Sequence, residues 1–131
     1  MSLTWITLYW RRQKMRNFKL REFECKCGCG LNNMDAHHLI MLDDARDMAG
    51  IPFIITSGSR CMKHNLSKEI GGSITSSHPL GYASDILCQN SRERYKIVRS
   101  LLIAGFRRIG IEETFIHADN DPGKPQKLIW L

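Results

Sequence analysis

Short candidate strands crowd the second half of the chain, and this arrangement constrains the fold more than any other feature of the sequence. Each is short, contains β-branched or aromatic residues, and lies near turn-forming residues. The predicted strands cover residues 53–56, 83–88, 106–111, 114–118 and 127–131. A turn at 121–125 separates the last two, and strands that cluster in this way as hairpins predict a small antiparallel sheet.

Three helical segments complete the pattern. The predicted helices are one that runs to about Met48, one at 61–70 and one at 91–104. Asn33 or Asp35 can cap the first helix, Ser91 caps the third, and glycines follow both. Three helices and about five short strands predict an α+β fold, and 131 residues suit one compact domain.

The first residues differ in character from the rest of the chain. We predict an N-terminal arm at 1–17 and a single domain at 18–131. In a secretory signal a basic cluster precedes the apolar stretch, whereas here the basic cluster at 11–16 follows a mildly apolar one. No segment is long enough to span a bilayer. We therefore expect a protein that is cytoplasmic on synthesis and has no membrane partner.

The net charge of +6 favours anionic partners, which include nucleic acid and a cell wall that carries phosphate and carboxylate groups. Basic residues cluster at 11–16 and 92–94. Solvated surface is the simplest interpretation of these clusters. The aromatic and base-reading signatures of known nucleic-acid modules are missing, so we expect no nucleic-acid partner.

Two histidines and one aspartate lie where such side chains need partners. His78 lies in a loop rich in Ser, Gly and Pro, and Asp85 interrupts an apolar strand, where its carboxylate needs a partner to offset desolvation. His117 lies inside another predicted strand. Two imidazoles and one carboxylate form a catalytic zinc set that leaves one position for water. The alternative is that all three are buried and hydrogen-bonded to the backbone.

The cysteines suggest a second cluster. Cys25, Cys27 and Cys29 are close in sequence, whereas Cys61 and Cys88 are isolated. In a reducing compartment such crowding suggests metal binding more than disulfides, although the spacing is not the C-x2-C of zinc ribbons. The first three and Cys61 can gather around a structural metal ion. We favour the other interpretation, thiols packed in a small subdomain.

Residues 76–85 read S-S-H-P-L-G-Y-A-S-D and match the pattern S-x-H-x-x-G-x-A-x-D. This segment resembles the first metal motif of the zinc D-Ala-D-Ala carboxypeptidase family, which includes phage endolysins that cleave wall peptides. Residues 23–29, 56–72 and 109–119 resemble other family segments in the same order. The resemblance extends from about Phe18 to Trp130 and implies the fold shared by these peptidases and the N-terminal domain of hedgehog proteins.

The resemblance implies a monomeric peptidase that holds one catalytic Zn²⁺ through His78, Asp85 and His117. It would cleave peptidoglycan stem peptides next to a D-amino acid by attack of metal-bound water, as a D,D-carboxypeptidase or an endolysin-type endopeptidase. Arg60 resembles the family arginine that binds the substrate carboxylate or the developing oxyanion. Ser76 is expected beside the metal or substrate. The enzyme would reach the wall after release through a separate pore.

One position departs from the family pattern. Many members carry an acidic general base three residues before the last histidine, where this chain has Thr114. Glu112, Glu113 and Asp119 remain. Asp119 shares a strand face with His117, as does Glu113 if the strand extends that far back. We favour Asp119 as the base and Glu113 as the second candidate, while the alternative role of Asp119 is to orient a metal ligand.

Two other functions stay open. Thr114 favours a non-catalytic, zinc-containing binding module of the same fold, a use that hedgehog proteins illustrate. The basic arm suggests a nucleic-acid-binding protein with a cysteine-held metal, which steeply salt-dependent binding to DNA would support.

Overall fold

The computed structural model describes residues 15–131 and confirms the predicted α+β class. Three α-helices follow a 3₁₀ helix at Leu20–Phe23: α1 (Ala36–Ala49), α2 (Met62–Asn65) and α3 (Ser91–Ala104). The strands are β1 (Ile55–Ser57), β2 (Ala83–Leu87), β3 (Arg108–Ile111), β4 (Phe115–Asp119) and β5 (Leu128–Trp130). Most of the predicted arm at 1–17 lies outside the described residues. No helix within 15–131 has the length and apolar character needed to cross a membrane.

The ends of the two long helices follow from local hydrogen bonding. Asp35, one of the two predicted caps, accepts from the backbone of His38, and Gly50 ends α1 in the left-handed conformation. The predicted cap of α3 is wrong by one residue. Asn90 accepts from the backbone N–H of Glu93, so Ser91 is the first residue inside the helix.

The second helix is shorter than the predicted 61–70 because the following loop uses its carbonyl groups. The Ser67 hydroxyl donates to the carbonyl of His64 at 2.6 Å. The Gly72 N–H donates to the carbonyl of Asn65 at 2.8 Å. A continuing helix needs these acceptors for its own ladder, so α2 ends at Asn65.

The strands form one mixed sheet in the order β1-β2-β4-β3-β5. Three of the four pairings are antiparallel, but β5 runs parallel to β3, so the expected hairpin between the last two strands is wrong. Both edges of β4 are already paired, with β2 and β3. The chain therefore continues past β4 to the free edge of β3, where the Leu128 N–H donates to the carbonyl of Arg107.

The hydrophobic core lies between α1, α3 and one face of the sheet. Ile86 of β2 and Ile116 of β4 are directly paired and fully buried in this core, together with Leu42 of α1 and Leu101 of α3. Successive side chains of a strand point to opposite faces. The neighbours of Ile86 and Ile116 in the two strands are therefore presented on the face away from the helices.

Residues 15–17 are held against α1. The backbone N–H groups of Arg16 and Asn17 both donate to the Asp43 carboxylate, at 2.9 and 3.0 Å. The Arg16 guanidinium also binds Asp44 and Asp47, which are about half exposed. Exposed ion pairs of this kind stabilise a fold little, so Asp43, which is buried, is the main anchor of this segment.

A buried histidine connects α1 to the sheet. His38 has no exposed surface; its Nδ1 lies 2.8 Å from the Asn120 side-chain oxygen and its Nε2 2.7 Å from the Ser84 hydroxyl. The amide oxygen only accepts, so Nδ1 carries the hydrogen and Nε2 accepts from Ser84. Burial lowers the pKa of His38 to about 4, because the charged ring would lose its hydration.

We predict that His38 makes the fold sensitive to mild acid. The unfolded chain binds a proton at His38 near the ordinary pKa of about 6.5, whereas the folded chain resists protonation until about pH 4. The free energy of unfolding should therefore fall as the pH drops through this window, by about 2 kcal/mol between pH 7 and 5 from this group.

Urea unfolding of two variants at both pH values tests this prediction. His37→Gln removes the exposed neighbouring histidine and should keep the full pH dependence. His38→Gln should lose the part due to the buried ring. Equal pH dependence in the two variants would contradict the prediction.

Candidate metal centre

The register of the sheet brings together the residues predicted to bind zinc. Asp85 and His117 face each other across β2 and β4, on the sheet face opposite Ile86 and Ile116. His78 comes from the loop that precedes β2. One potential ligand atom from each of the three residues lies within 4.8 Å of the others. The centre therefore unites two adjacent strands with a loop.

The His78 ring is oriented by a backbone carbonyl. Its Nδ1 lies 2.8 Å from the carbonyl oxygen of Gly58, and its Nε2 lies 3.3 Å from Asp85 Oδ2. A carbonyl oxygen only accepts, so Nδ1 carries the hydrogen and Nε2 presents its lone pair to the centre. This is the usual way in which a second partner sets the tautomer of a metal-binding histidine.

Gly81 holds the loop that carries His78 against the segment before α1. Its backbone has a φ of +80°, and its carbonyl accepts from the Asp35 N–H at 2.8 Å. A Cβ at this position would lie 2.0 Å from the carbonyl oxygen of Asn33. Only glycine combines this conformation with such close packing.

The His117 ring is held from both sides by carboxylates. Its Nδ1 lies 3.0 Å from Asp85 Oδ1, and its Nε2 lies 2.8 Å from Asp119 Oδ2. The other oxygen of Asp119 accepts from Arg108 Nε at 2.7 Å and from the Asp121 N–H at 3.2 Å. Asp119 is almost completely buried, and both of its oxygens are engaged.

These contacts determine the charge of the centre. Burial alone would lower the pKa of His117, but hydrogen bonds to Asp119 and Asp85 outweigh it and raise the pKa to about 9. Burial alone would raise the pKa of Asp85, but hydrogen bonds from His117 and His78 outweigh it and hold the pKa well below its usual range. The two carboxylates thus attract positive charge to the centre, and a bound cation would serve the same purpose.

The donor set fits zinc. Two imidazole nitrogens and one carboxylate oxygen are ligands that catalytic zinc sites use, and three protein ligands leave a position open for water or substrate. His78 Nε2, an Asp85 oxygen and His117 Nδ1 are the atoms available for this purpose. Gly58 and Asp119 hold the other ring nitrogens.

Arg60 is part of the centre and is not a surface residue. It is 7% exposed. Its Nη1 donates to the Asn65 side chain at 3.0 Å, and its Nη2 lies 2.8 Å from the Ser57 hydroxyl and 3.4 Å from Asp85 Oδ2. Arg60 Nε is buried and has no hydrogen-bond partner among the described residues. The guanidinium group is thereby fixed beside a metal-site carboxylate.

The centre opens into a cleft of about 560 Å³, a size suited to a small peptide. Its lining includes the residues Arg60, Glu69, Ser76, Glu112, Lys124 and Trp130. The Trp130 ring lies 5.6 Å from the His117 ring and 5.1 Å from Arg108 Cζ, and so forms one wall beside the centre.

The turn between β3 and β4 places a different acidic residue in the cleft from the one that the alternation of strand faces predicted. Strand β4 begins at Phe115, and the Glu112 N–H donates to the Phe115 carbonyl across a tight turn. Strand β4 therefore does not extend back to Glu113, and the condition under which Glu113 would face His117 is not met. Glu113 is not among the residues that line the cleft, whereas Glu112 is. Sequence reasoning did not select Glu112 because the alternation of faces stops where a turn begins.

Comparison with known families agrees with this geometry. A family model described as peptidase M15 matches residues 16–119, which include Arg60 and all three residues of the metal centre. A search of curated proteins gives no match. Peptidases of the M15 family are zinc-dependent, and the donor set here fits that metal. Because the match spans most of the sequence, the chain belongs to the peptidase M15 family, the zinc D-Ala-D-Ala carboxypeptidase-like family.

Proposed function

We propose that this protein is a zinc peptidase that cleaves peptidoglycan stem peptides next to a D-amino acid, either as a D,D-carboxypeptidase or as an endolysin-type endopeptidase. The observation that carries the proposal is the convergence of His78, Asp85 and His117 at the base of an open cleft. The family match supports peptidase chemistry at this centre. The basic net charge of the chain suits an anionic wall.

The zinc ion would be held by His78 Nε2, an Asp85 oxygen and His117 Nδ1. When bound, it supplies Lewis acidity that polarises a peptide carbonyl and lowers the pKa of water. The hydrogen bonds to Gly58 and Asp119 hold the ring nitrogens that face away from the ion, and His117 would release the Nδ1 proton that it shares with Asp85 when the ion binds. Because both partners are fixed in the fold, the rings need little reordering when the ion binds.

Arg60 and Ser76 would orient the substrate. The Arg60 guanidinium lines the cleft and is held by Ser57 and Asn65, so its donors are fixed before the substrate arrives. A fixed guanidinium suits either the terminal carboxylate of a peptide or the oxyanion that develops during hydrolysis. Ser76 lines the same cleft, and its hydroxyl accepts from the His78 N–H at 3.3 Å.

For the proton transfers we propose Glu112 in place of Asp119. Both Asp119 oxygens are engaged by His117, Arg108 and the backbone, which favours its alternative role as the residue that positions His117. Glu112 is exposed to the cleft on the turn that leads into the His117 strand. Its carboxylate would accept a proton from the attacking water and pass it to the leaving amine nitrogen.

The first test of this function uses purified wall fragments. The zinc-loaded protein should release peptides or D-alanine that mass spectrometry identifies. The mass that the wall fragment loses identifies the bond that is cut. A chelator should abolish release, added zinc should restore it, and His117→Ala should be inactive in both conditions. A zinc-loaded protein that releases nothing from any wall fragment would favour the non-catalytic binding module.

Arg60→Ala should lower kcat/KM strongly while the fold and the zinc content of the catalytic centre are retained. The expected loss is about 10²–10³-fold, typical of a removed donor to a developing oxyanion. Arg46→Ala, on α1 and outside the cleft lining, is the matched control and should have wild-type kinetics. Unchanged kinetics in Arg60→Ala would remove this residue from the mechanism.

Three conservative variants separate the roles of the acidic residues. Glu112→Gln should lower kcat by about two to four orders of magnitude with zinc bound, because the general base is lost. Glu113→Gln is its matched neighbour outside the cleft and should remain active. Asp119→Asn should weaken zinc binding by about 10–100-fold, as expected for a residue that orients a ligand.

Zinc affinity and pre-steady-state kinetics on one wall substrate distinguish these outcomes. If Asp119→Asn binds zinc normally and is inactive, Asp119 is the base and our assignment is wrong. If Glu112→Gln is fully active, the same measurement on Glu69→Gln tests the second glutamate of the cleft lining.

A further inference from the structure

Four cysteines converge at a second position in the fold. One sulfur atom from each of Cys25, Cys27, Cys29 and Cys61 lies within 4.8 Å of the others. The Cys25 and Cys27 sulfurs are 3.4 Å apart, and those of Cys27 and Cys61 are 3.6 Å apart. Four thiolates around one zinc ion at about 2.3 Å are separated by ~3.8 Å along each edge of the tetrahedron. The observed spacing is close to this value, and all four thiols are free.

The backbone holds these thiols in place. The Cys25 N–H donates to the Leu31 carbonyl at 2.9 Å, which closes the loop that carries the first three cysteines. The fourth, Cys61, lies at the N-terminus of α2. Backbone N–H groups of Cys61 and His64 point at sulfur atoms of the cluster, each at 3.4 Å. Such donors stabilise thiolate charge, as they do for other anions.

The burial of the cysteines argues against the interpretation that they are packed thiols. Cys25 is buried, but Cys27 and Cys29 are exposed and Cys61 is partly exposed. Exposed thiols contribute little to a hydrophobic core. Cys88 differs from all four, since it is fully buried within the main core. The sequence-based preference for packed thiols therefore does not explain why these four sulfurs meet.

We propose that Cys25, Cys27, Cys29 and Cys61 bind a second, structural zinc ion. Four thiolates fill the tetrahedral coordination of zinc and leave no position for water, so this site has no catalytic role. It is separate from the His78 centre in ligands and in chemistry. The proposal stands whether or not the protein is a peptidase.

The position of the cluster suggests what this ion does for the fold. It would join the loop at 25–30 to the segment that follows β1. In that segment the Gly58 carbonyl orients His78, and Arg60 contacts Asp85. The Ser59 N–H donates to the Phe23 carbonyl at 2.8 Å, so the two segments already meet just before the cysteines. A thiolate-bound zinc would hold this backbone in place and so preserve the geometry of the catalytic centre.

Metal content tests the proposal directly. The wild-type protein, purified under reducing conditions and loaded with zinc, should contain about two zinc ions per chain. Cys27→Ser and Cys29→Ser should each contain about one. Cys88→Ala is the matched control and should keep two. If the wild type and both serine variants have the same zinc content, the proposal is wrong.

Cobalt substitution separates this site from the catalytic one. Co²⁺ bound by thiolates has an intense ultraviolet charge-transfer absorption that a site made of two histidines and an aspartate lacks. His117→Ala should keep this absorption, whereas Cys29→Ser should lose it. Absence of the absorption in cobalt-loaded His117→Ala would overturn the proposal without bearing on the peptidase activity.

Thiol alkylation of the wild type covers the case in which the serine variants do not fold. Zinc should protect the cluster, including the exposed Cys27 and Cys29, and a chelator should restore their reaction. Equal alkylation of these two residues with and without zinc would also overturn the proposal.

Discussion

The pairing of Asp85 with His117 across β2 and β4 is the contact on which both the fold and the site depend. The register that places these residues opposite each other also pairs Ile86 with Ile116 in the core. A shift of one residue would exchange the two faces, burying charged groups under the helices and exposing the isoleucines. The hydrophobic effect therefore selects the register, and the metal centre is formed on the other face as a consequence.

Burying so many charged groups is stable only because each has a partner. Arg108 binds Asp119, Asp119 binds His117, and His117 binds Asp85, which in turn contacts Arg60. Isolated, any of these groups would lose several kcal/mol of hydration. Linked, they polarise one another and fix the orientation of each ring and carboxylate. The same network that satisfies buried charge thus prepares the imidazoles for a metal ion.

Local signals in the sequence identified several features that depend on neighbouring residues. They include Asp35 as one of two possible caps of α1, the end of that helix at Gly50, and the anomaly of a carboxylate at Asp85 inside an apolar strand. The features that sequence reasoning missed depend on which hydrogen-bond partners each segment takes in the folded chain. The parallel pairing of β5 follows from the occupied edges of β4, and the early end of α2 follows from its loop. Glu112 was passed over because the start of the β3–β4 turn was not evident.

Trp130 of β5 lies opposite Gly110 of β3, and this pairing affects the shape of the cleft. A side chain at Gly110 would collide with the indole, since even a Cβ there would lie 2.8 Å from it. The absence of a side chain at Gly110 therefore gives the indole its place beside the centre. The wall belongs to a strand beyond the segment matched by the family model, whereas the metal residues lie within it. The indole that walls the cleft and the three residues of the candidate metal centre thus come from different parts of the chain.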